Sequence, residues 1–340
     1  MKKMSRPLYL MLILLFVQSA IYSQTSKTII VLDFEYKYQG APLAGKDFAS
    51  WIPAQIQTAL VKSPYVTVVE RNKLNEVLKE QALSQTGVID EATAIKVGKI
   101  IGAQKILMGD YQCNLKERYS ISARLVDIES GAVEVQRIAS DLKNKEILEY
   151  AEDVAAHIIA RMKNQIALEN IAKLENPGEP FNINVSAEKD TFALGEMLTF
   201  TAESDKNCHL YIFDVGTSGK IHLLFPNKMQ PKNFVKAGEK IRIENIRVSP
   251  PTGTEIVKAI ATLDSVSYGH LLESAGTQAT FQSLGDDLDR FSRDLEVMVS
   301  PLANDRWSSD TIQLEIISGT SRRLIAPPPA TGRVKLKMTP

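Results

Sequence analysis

The chain has 340 residues, 44% of them hydrophobic and 24% charged, with 40 basic side chains against 40 acidic ones. That length leads to an expectation of two domains, each with enough apolar content for a core. A formal net charge of zero excludes a general nucleic-acid or anionic-membrane binder, because a phosphate surface demands an excess of Lys and Arg on one face.

Lys2, Lys3 and Arg6 precede the apolar run Leu8–Val17 and the small, polar Ser19–Ser23. This is the layout of a secretory signal peptide, read as residues 1–23 with cleavage after Ser23. The apolar run is shorter than the roughly 20 residues of a bilayer-spanning helix, so the mature chain is expected to be periplasmic with no membrane span. The first cysteine is Cys113, far from the cleavage site, so the protein is not read as a lipoprotein. Cys113 and Cys208 are the two cysteines; an exported chain permits their pairing. They fall in different expected domains, and two buried free thiols are the competing reading.

Thr28–Phe34 reads as a strand buried on both faces. Lys46–Lys62 follows as a helix with Phe48, Ile52, Ile56 and Leu60 on one stripe, Pro53 marking a kink or a late start. After strand Val66–Val69, Asn72 is placed as the cap of a helix carrying Leu74, Val77 and Leu78, which Gly87 breaks. Asp90 caps the next helix, with Ala94, Val97, Ile100 and Ile101 inward and Gly102 at its end. Lys105–Met108 is a strand. Ser120–Asp127 and Ala132–Ser140 form a hairpin across Glu129-Ser130-Gly131, with Ile121, Ala123, Leu125, Val133 and Val135 on buried faces. Lys145–Ile171 is a long helix. This order predicts an α/β domain over residues 24–172, with helices covering a mixed sheet.

Residues 173–180, with Pro177, Gly178 and Pro180, form the expected linker. Beyond it, short runs at Phe181–Ala187, Met197–Thr201, Leu210–Asp214, Ile221–Phe225, Lys240–Ile246 and Glu255–Ala261 predict a mainly-β sandwich or barrel over residues 181–320. Asp286–Leu295 is a helix and Thr311–Ile317 a closing strand. Residues 321–340, proline-rich and basic (Arg322, Arg323, Arg333, Lys335, Lys337), read as a solvated tail.

No stretch carries an outright reaction signature. Gly40–Asp47 has phosphate-loop spacing, but Asp47 stands where the magnesium-ligating hydroxyl belongs and Pro42 removes a backbone donor. Cys208, His209 and His222 come nearest to a zinc set, yet adjacent strand residues point to opposite faces. His157 reads as structural, and His270 has no gathered partners. Asp286, Asp287 and Asp289 alternate with Arg290 and Arg293 as a solvated helix face. No catalytic residue, cofactor or metal is assigned.

Four stretches carry a family likeness: Glu70-Arg71-Asn72, Leu74-Asn75-Glu76, Ala103–Tyr111 and Ala123–Gly131. Val69–Leu74 ends a strand in a V-x-R-N turn with Arg71 and Asn72, Gly102–Tyr111 spaces Gly102, Gly109 and Tyr111, and Arg124–Gly131 sets Arg124, Asp127 and Gly131 on a hairpin. Over Thr28 to Ile171 the chain resembles the curli production assembly/transport (CsgG) family of the bacterial envelope. The resemblance implies the fold. Two departures limit the rest: no anchoring cysteine is present, and the gaps Tyr111–Ser120 and Ser140–Lys145 are too short for the membrane hairpins of the channel-forming member. The second domain resembles an uncharacterised bacterial envelope domain through Phe192–Gly195, Leu210–Phe213, Leu224-Phe225-Pro226-Asn227, Ala237-Gly238 and Gly253–Ala259.

The expected function is therefore a non-enzymatic accessory in envelope assembly, secretion or surface-structure biogenesis. Its expected partners are envelope proteins, including further copies of itself, and the expected contact surfaces are Arg124–Ser140 and the helix Lys46–Lys62. The alternative is a peptidoglycan- or glycan-binding regulator of wall synthesis; an enzyme of unrecognised type is a third class.

Overall fold

The computed structural model describes residues 26–37, 48–80, 90–267 and 280–318. The expected signal peptide, the Gly40–Asp47 loop, Gly87, His270 and the basic tail lie outside them. The chain divides into two units. The first comprises residues up to Leu174 together with Asp287–Glu296, and the second takes Glu175–Asp286 and everything from Val297 onward.

The first unit runs β1 (Lys27–Val31), β2 (Glu35–Tyr36), α1 (Phe48–Leu60), β3 (Val66–Val68), α2 (Arg71–Glu80), α3 (Glu91–Ile101), β4 (Lys105–Cys113), β5 (Tyr119–Asp127), β6 (Val133–Leu142) and α4 (Glu146–Lys173). Its sheet has the order β3-β1-β4-β5-β6, with β2 also on β4. β1 is parallel to β3 and β4, and β4-β5-β6 is antiparallel. The chain leaves β1 toward β3 on one side and returns to β4 on the other. Right-handed crossovers in opposite directions place their helices on opposite faces, and two cores form. Ile29, Leu107, Tyr111, Ile121, Ala123 and Leu125 pack under α1 and α4. Ile30, Ile106, Met108 and Val126 pack under α2 and α3. This is why β1 reads as apolar on both faces.

Local chemistry accounts for the ends and breaks. Pro53 lies inside α1 and brings no N–H to the Ala49 carbonyl one turn back. The Phe34 N–H donates to that carbonyl instead, at 2.8 Å, tying the end of the first strand segment to the helix. Asp90 accepts from the Thr93 N–H at the start of α3, and Gly102 closes the helix at φ 77°, where a side chain would be strained. Asn72 does not cap α2. It is an exposed residue of the first turn, because the helix begins at Arg71 and Glu70 already supplies the carbonyl for Leu74 N. β6 is the outer strand of the sheet. Val133 is 49% exposed where a buried face was expected, while Val135 is half-buried against the core.

Buried lysines in this unit are paired: Lys27 meets Glu169 at 2.5 Å, and Lys105 centres a larger cluster. Lys105, 5% exposed, donates to Asp127 at 2.7 Å and pairs with Glu134 at 2.9 Å. Arg161 and Gln165 of α4 also reach Glu134. Asp127 accepts further bonds from Ser130 N, Ser130 Oγ and Glu129 N in the hairpin turn. Burial pushes its carboxyl pKa up, but the Lys105 and Ser130 bonds outweigh that and hold it at about 2.

The second unit contains β7 (Ile183–Ala187), β8 (Thr191–Ala193), β9 (Met197–Ser204), β10 (Cys208–Val215), β11 (Ile221–Phe225), β12 (Phe234–Val235), β13 (Ile241–Arg247), β14 (Gly253–Thr262), β15 (Gln282–Gly285) and β16 (Trp307–Ile317). One sheet has the order β15-β11-β10-β14-β16-β8, with β12 also on β10; the other is β13-β9-β7. They are two sheets with a shared apolar core: Val185, Leu198, Phe200, Ile241 and Ile243 from the small sheet meet Leu210, Ile212, Leu224, Val257 and Leu314 from the large one. Of the sandwich and barrel expected, this is the sandwich; no barrel closes among the described strands.

The helix α5 (Leu288–Val299) lies between β15 and β16 in sequence, yet Asp287–Glu296 groups with the first unit. Its carboxylates are not merely solvated. Tyr65 Oη donates to Asp289 at 3.3 Å, Lys163 lies 3.4 Å from Asp287, and Arg293 pairs with Asp289. Cys113 and Cys208 are both buried and free, one in each unit. No helix of the described residues is long and apolar enough to cross a membrane.

Candidate functional site

The inward side of the large sheet is apolar until its last rows. Along β10 the alternation places Leu210 and Ile212 in the core, and the next inward position is Asp214. On β14 the inward row Ala261, Ala259, Val257 ends with Glu255, and on β11 Leu224 is followed inward by His222. Antiparallel register sets Asp214 opposite His222 on one side and opposite Val257 on the other. Three adjacent strands thus bring His222, Asp214 and Glu255 to one spot at the end of the sandwich.

They line a cavity of about 430 Å³. Leu198, Leu224, Ile246 and Phe281 form apolar wall; Ser218, Asn245 and Ser249 are polar. β13 is bulged between Ile243 and Ile246, with Asn245 at φ 64°. Bulges of this kind re-aim a strand beside a site.

Asp214 is 9% exposed and its Oδ1 meets no fixed donor of the fold. His222 Nδ1 lies 3.5 Å from Asp214 Oδ2. Burial pushes both carboxyl pKa values up, and the charge of Asp214 pushes Glu255 further. The two share a hydrogen bond, which needs a proton on one of them. Burial also lowers the His222 pKa, helped by the charge of Lys220 and opposed by that of Glu255. Near neutrality the site therefore holds one proton on the carboxyl pair beside a neutral imidazole. It can accept a cation or exchange a proton; the groups present do not form a metal-binding cluster among the described residues.

Of these residues, sequence reasoning weighed His222 alone, and for zinc with Cys208 and His209. Those do not assemble. Cys208 is buried, while His209 stacks edge-on with Phe234 at 5.4 Å and lies 3.2 Å from Asn233 Oδ1. His157 is exposed and sits 2.8 Å from the Asp153 carbonyl. Asp214 and Glu255 are distant in sequence, so no spacing joins them. The available signal was a carboxylate where strand alternation calls for an apolar residue.

The family-motif residues are dispersed over both units as supports. Arg71 pairs with Asp33, Leu74 is buried beneath α2, and Arg124 pairs with Glu91 at 3.2 Å. Gly109 lies against the Ser122 carbonyl and the Phe34 ring, where an added Cβ would come within 2.4 Å of that carbonyl. Tyr111 is fully buried, its ring 5.2 Å from that of Tyr36, and Gly131 turns the hairpin at φ 71°. Phe225 and Pro226 are buried, and Asn227 Oδ1 accepts from Met229 N and Gln230 N, building the turn after β11.

Comparison with known proteins gives two family matches. Residues 17–113 match the curli production assembly/transport component CsgG, and residues 191–265 match a domain of unknown function, DUF4384. The first match starts inside the segment read as a leader. No curated protein matches the chain. Among solved structures, the LpoB C-terminal domain from Salmonella enterica is similar at 16% identity and TM-score 0.30, over 39% of this chain and 93% of that one. The lipoprotein GNA1162 from Neisseria meningitidis is similar at 19% identity and TM-score 0.29, over 39% and 96%. A PelC dodecamer from Paraburkholderia phytofirmans is similar at 10% identity and TM-score 0.25, over 40% and 88%. This chain carries a CsgG-family domain followed by a DUF4384 domain.

Proposed function

We propose that the protein is an exported, non-enzymatic accessory of the cell envelope that acts through protein–protein contacts in assembly, secretion or surface-structure biogenesis. The observation that carries this reading is a CsgG-family match on a scaffold whose relevant connections are tight turns. Between β4 and β5 the chain turns at Asn114–Arg118, and between β6 and α4 at Lys143–Lys145. Neither turn has room for a barrel-wall strand of about 9–11 residues. What the scaffold offers instead is β6, a ten-residue outer strand with Val133 and Ile138 exposed. An edge with free backbone donors and acceptors is a template for pairing with another chain. A leader over residues 1–23 and an unlipidated mature terminus belong to the same proposal.

The test is a photoreactive residue at Ile138, crosslinked in periplasm and read by mass spectrometry. Recurrent capture of one envelope protein, competed by excess unlabelled chain, is expected. Saturable co-sedimentation of the purified protein with cell wall, with no protein crosslink, would overturn the proposal in favour of glycan binding. Crosslinks to the protein itself alone would make a homo-oligomer the working unit.

A further inference from the structure

Most of the sandwich interior follows the rule that inward positions are apolar. Asp310, in the inward row of β16, accepts from Val185 N at 2.7 Å, whereas the corner where Asp214 and Glu255 meet leaves Asp214 Oδ1 without such a donor. Asp214 is buried there and Glu255 half-buried, and the charged cations of the wall, Lys220 and Arg247, are exposed rather than buried with them. A fold under no functional demand fills such positions with Val or Leu, because an uncompensated buried carboxylate costs several kcal/mol while an apolar residue gains stability. Here the strands deliver both carboxyls to an open cavity, and Asp214 Oδ1 has no fixed donor. The arrangement lacks one thing, a positive charge arriving from outside.

We propose that this cavity binds a small ligand bearing a primary ammonium on an aliphatic stem, with Asp214 and Glu255 receiving the ammonium. The inference goes beyond the envelope-accessory reading and is independent of it. Three features select the ligand class. The two carboxyls come from adjacent strands within hydrogen-bonding reach of one another, so they offer oxygens of separate carboxylates to a compact tetrahedral donor; a planar guanidinium prefers both oxygens of one carboxylate. Leu198, Leu224, Ile246 and Phe281 supply an apolar wall for a stem. The volume of about 430 Å³ is that of a small-molecule site rather than a slot for one side chain.

Binding has a proton balance. The ammonium keeps its three hydrogens, and the proton shared by the two carboxyls leaves to solvent, so that one charge replaces another. The charged and titratable groups facing the pair are His222 on β11, Lys220 in the turn before it and Arg247 on β13. His222, adjacent to Asp214, is the nearest acceptor on the way out. Affinity should therefore rise as the pH goes from about 5 to about 8, where less proton must be displaced, with the amine itself still charged.

The experiment is isothermal titration calorimetry on the full chain with n-pentylamine, with pentanol as the neutral counterpart and a blocked lysine peptide as the macromolecular source. The expected result is saturable pentylamine binding that releases protons, seen as a dependence of the heat on the ionisation heat of the buffer, with no pentanol binding. Asp214→Asn and Glu255→Gln should each weaken it by roughly tenfold or more. Each variant puts a neutral amide of the same shape in place of a carboxyl, so folding, checked by circular dichroism, should survive. The proposal fails if pentylamine does not saturate, if pentanol binds as well, if both folded variants bind unchanged, or if the peptide binds and pentylamine does not.

Discussion

In the first unit, Lys105 is buried between Asp127 at 2.7 Å and Glu134 at 2.9 Å, and Arg161 of α4 lies 3.6 Å from Glu134, so two cations face two carboxylates. In the second, buried Asp214 and half-buried Glu255 lie side by side with a neutral histidine. Both clusters lie at the ends of strands on the inward side of a sheet, so topology does not distinguish them. Charge balance does. A balanced cluster is self-sufficient and fixes how β4, β5, β6 and α4 meet. An unbalanced one works against its own fold, which is the signature of a site kept for something other than stability.

Breaking the balanced cluster should have the largest effect. Lys105→Met leaves the half-buried Asp127 without its cation and Glu134 with Arg161 alone, and unfolding in urea should show a loss of about 3–5 kcal/mol. A loss below about 1 kcal/mol would mean that Asp127 and Glu134 find water, and the contrast between the units would collapse.

The pH response of the two units should have opposite sign. The Asp127 pKa is lowered in the fold, so its contribution is present above the ordinary carboxylate range and disappears as the pH falls toward about 2. The Asp214 and Glu255 pKa values are raised, so the second unit is penalised least below about pH 4 and loses stability as the pH climbs through neutrality. Chemical-shift titration of reporters in each unit, at fixed denaturant, would separate the two slopes. Slopes of the same sign would contradict the assignment.

Neutralising one member of the unbalanced pair should help the fold. Asp214→Asn is expected to raise stability by about 1 kcal/mol near neutrality and to flatten the pH slope of the second unit. If it destabilises instead, the carboxylate is a structural acceptor.

The smallest thermodynamic effect belongs to the surface. Ile138→Asp, at a residue 66% exposed on the edge strand, should change stability by less than about 0.5 kcal/mol while abolishing the crosslink made by a photoreactive residue placed at Val133 on the same strand. Unchanged crosslinking would take Ile138 out of the contact surface.

The amino-acid sequence by itself determined what depends on near neighbours along the chain. Apolar runs at Thr28–Phe34, spacing at Ile52, Ile56 and Leu60, the Asp90 and Gly102 helix ends and the Glu129–Gly131 turn are set by interactions within a few residues, and they gave the element order and the CsgG likeness. Asn72 was misplaced because two polar residues compete for a helix start, and only the packing of Leu74 chose between them. Val133 was misjudged because alternation marks a strand without saying whether the strand is central or at an edge.

Tertiary structure alone decided the rest. The freed Ala49 carbonyl found the Phe34 N–H, Asp289 found Tyr65 and Lys163, and Asp214 met Glu255 and His222 across three strands. In each case the partners are remote in sequence, and their meeting depends on register. A one-residue slip would move Asp214 to the opposite face of the sheet, where Tyr211, Phe213 and Val215 are buried, and away from Glu255 and His222. A site whose chemistry rests on the burial of charge cannot be read before the fold has determined what is buried.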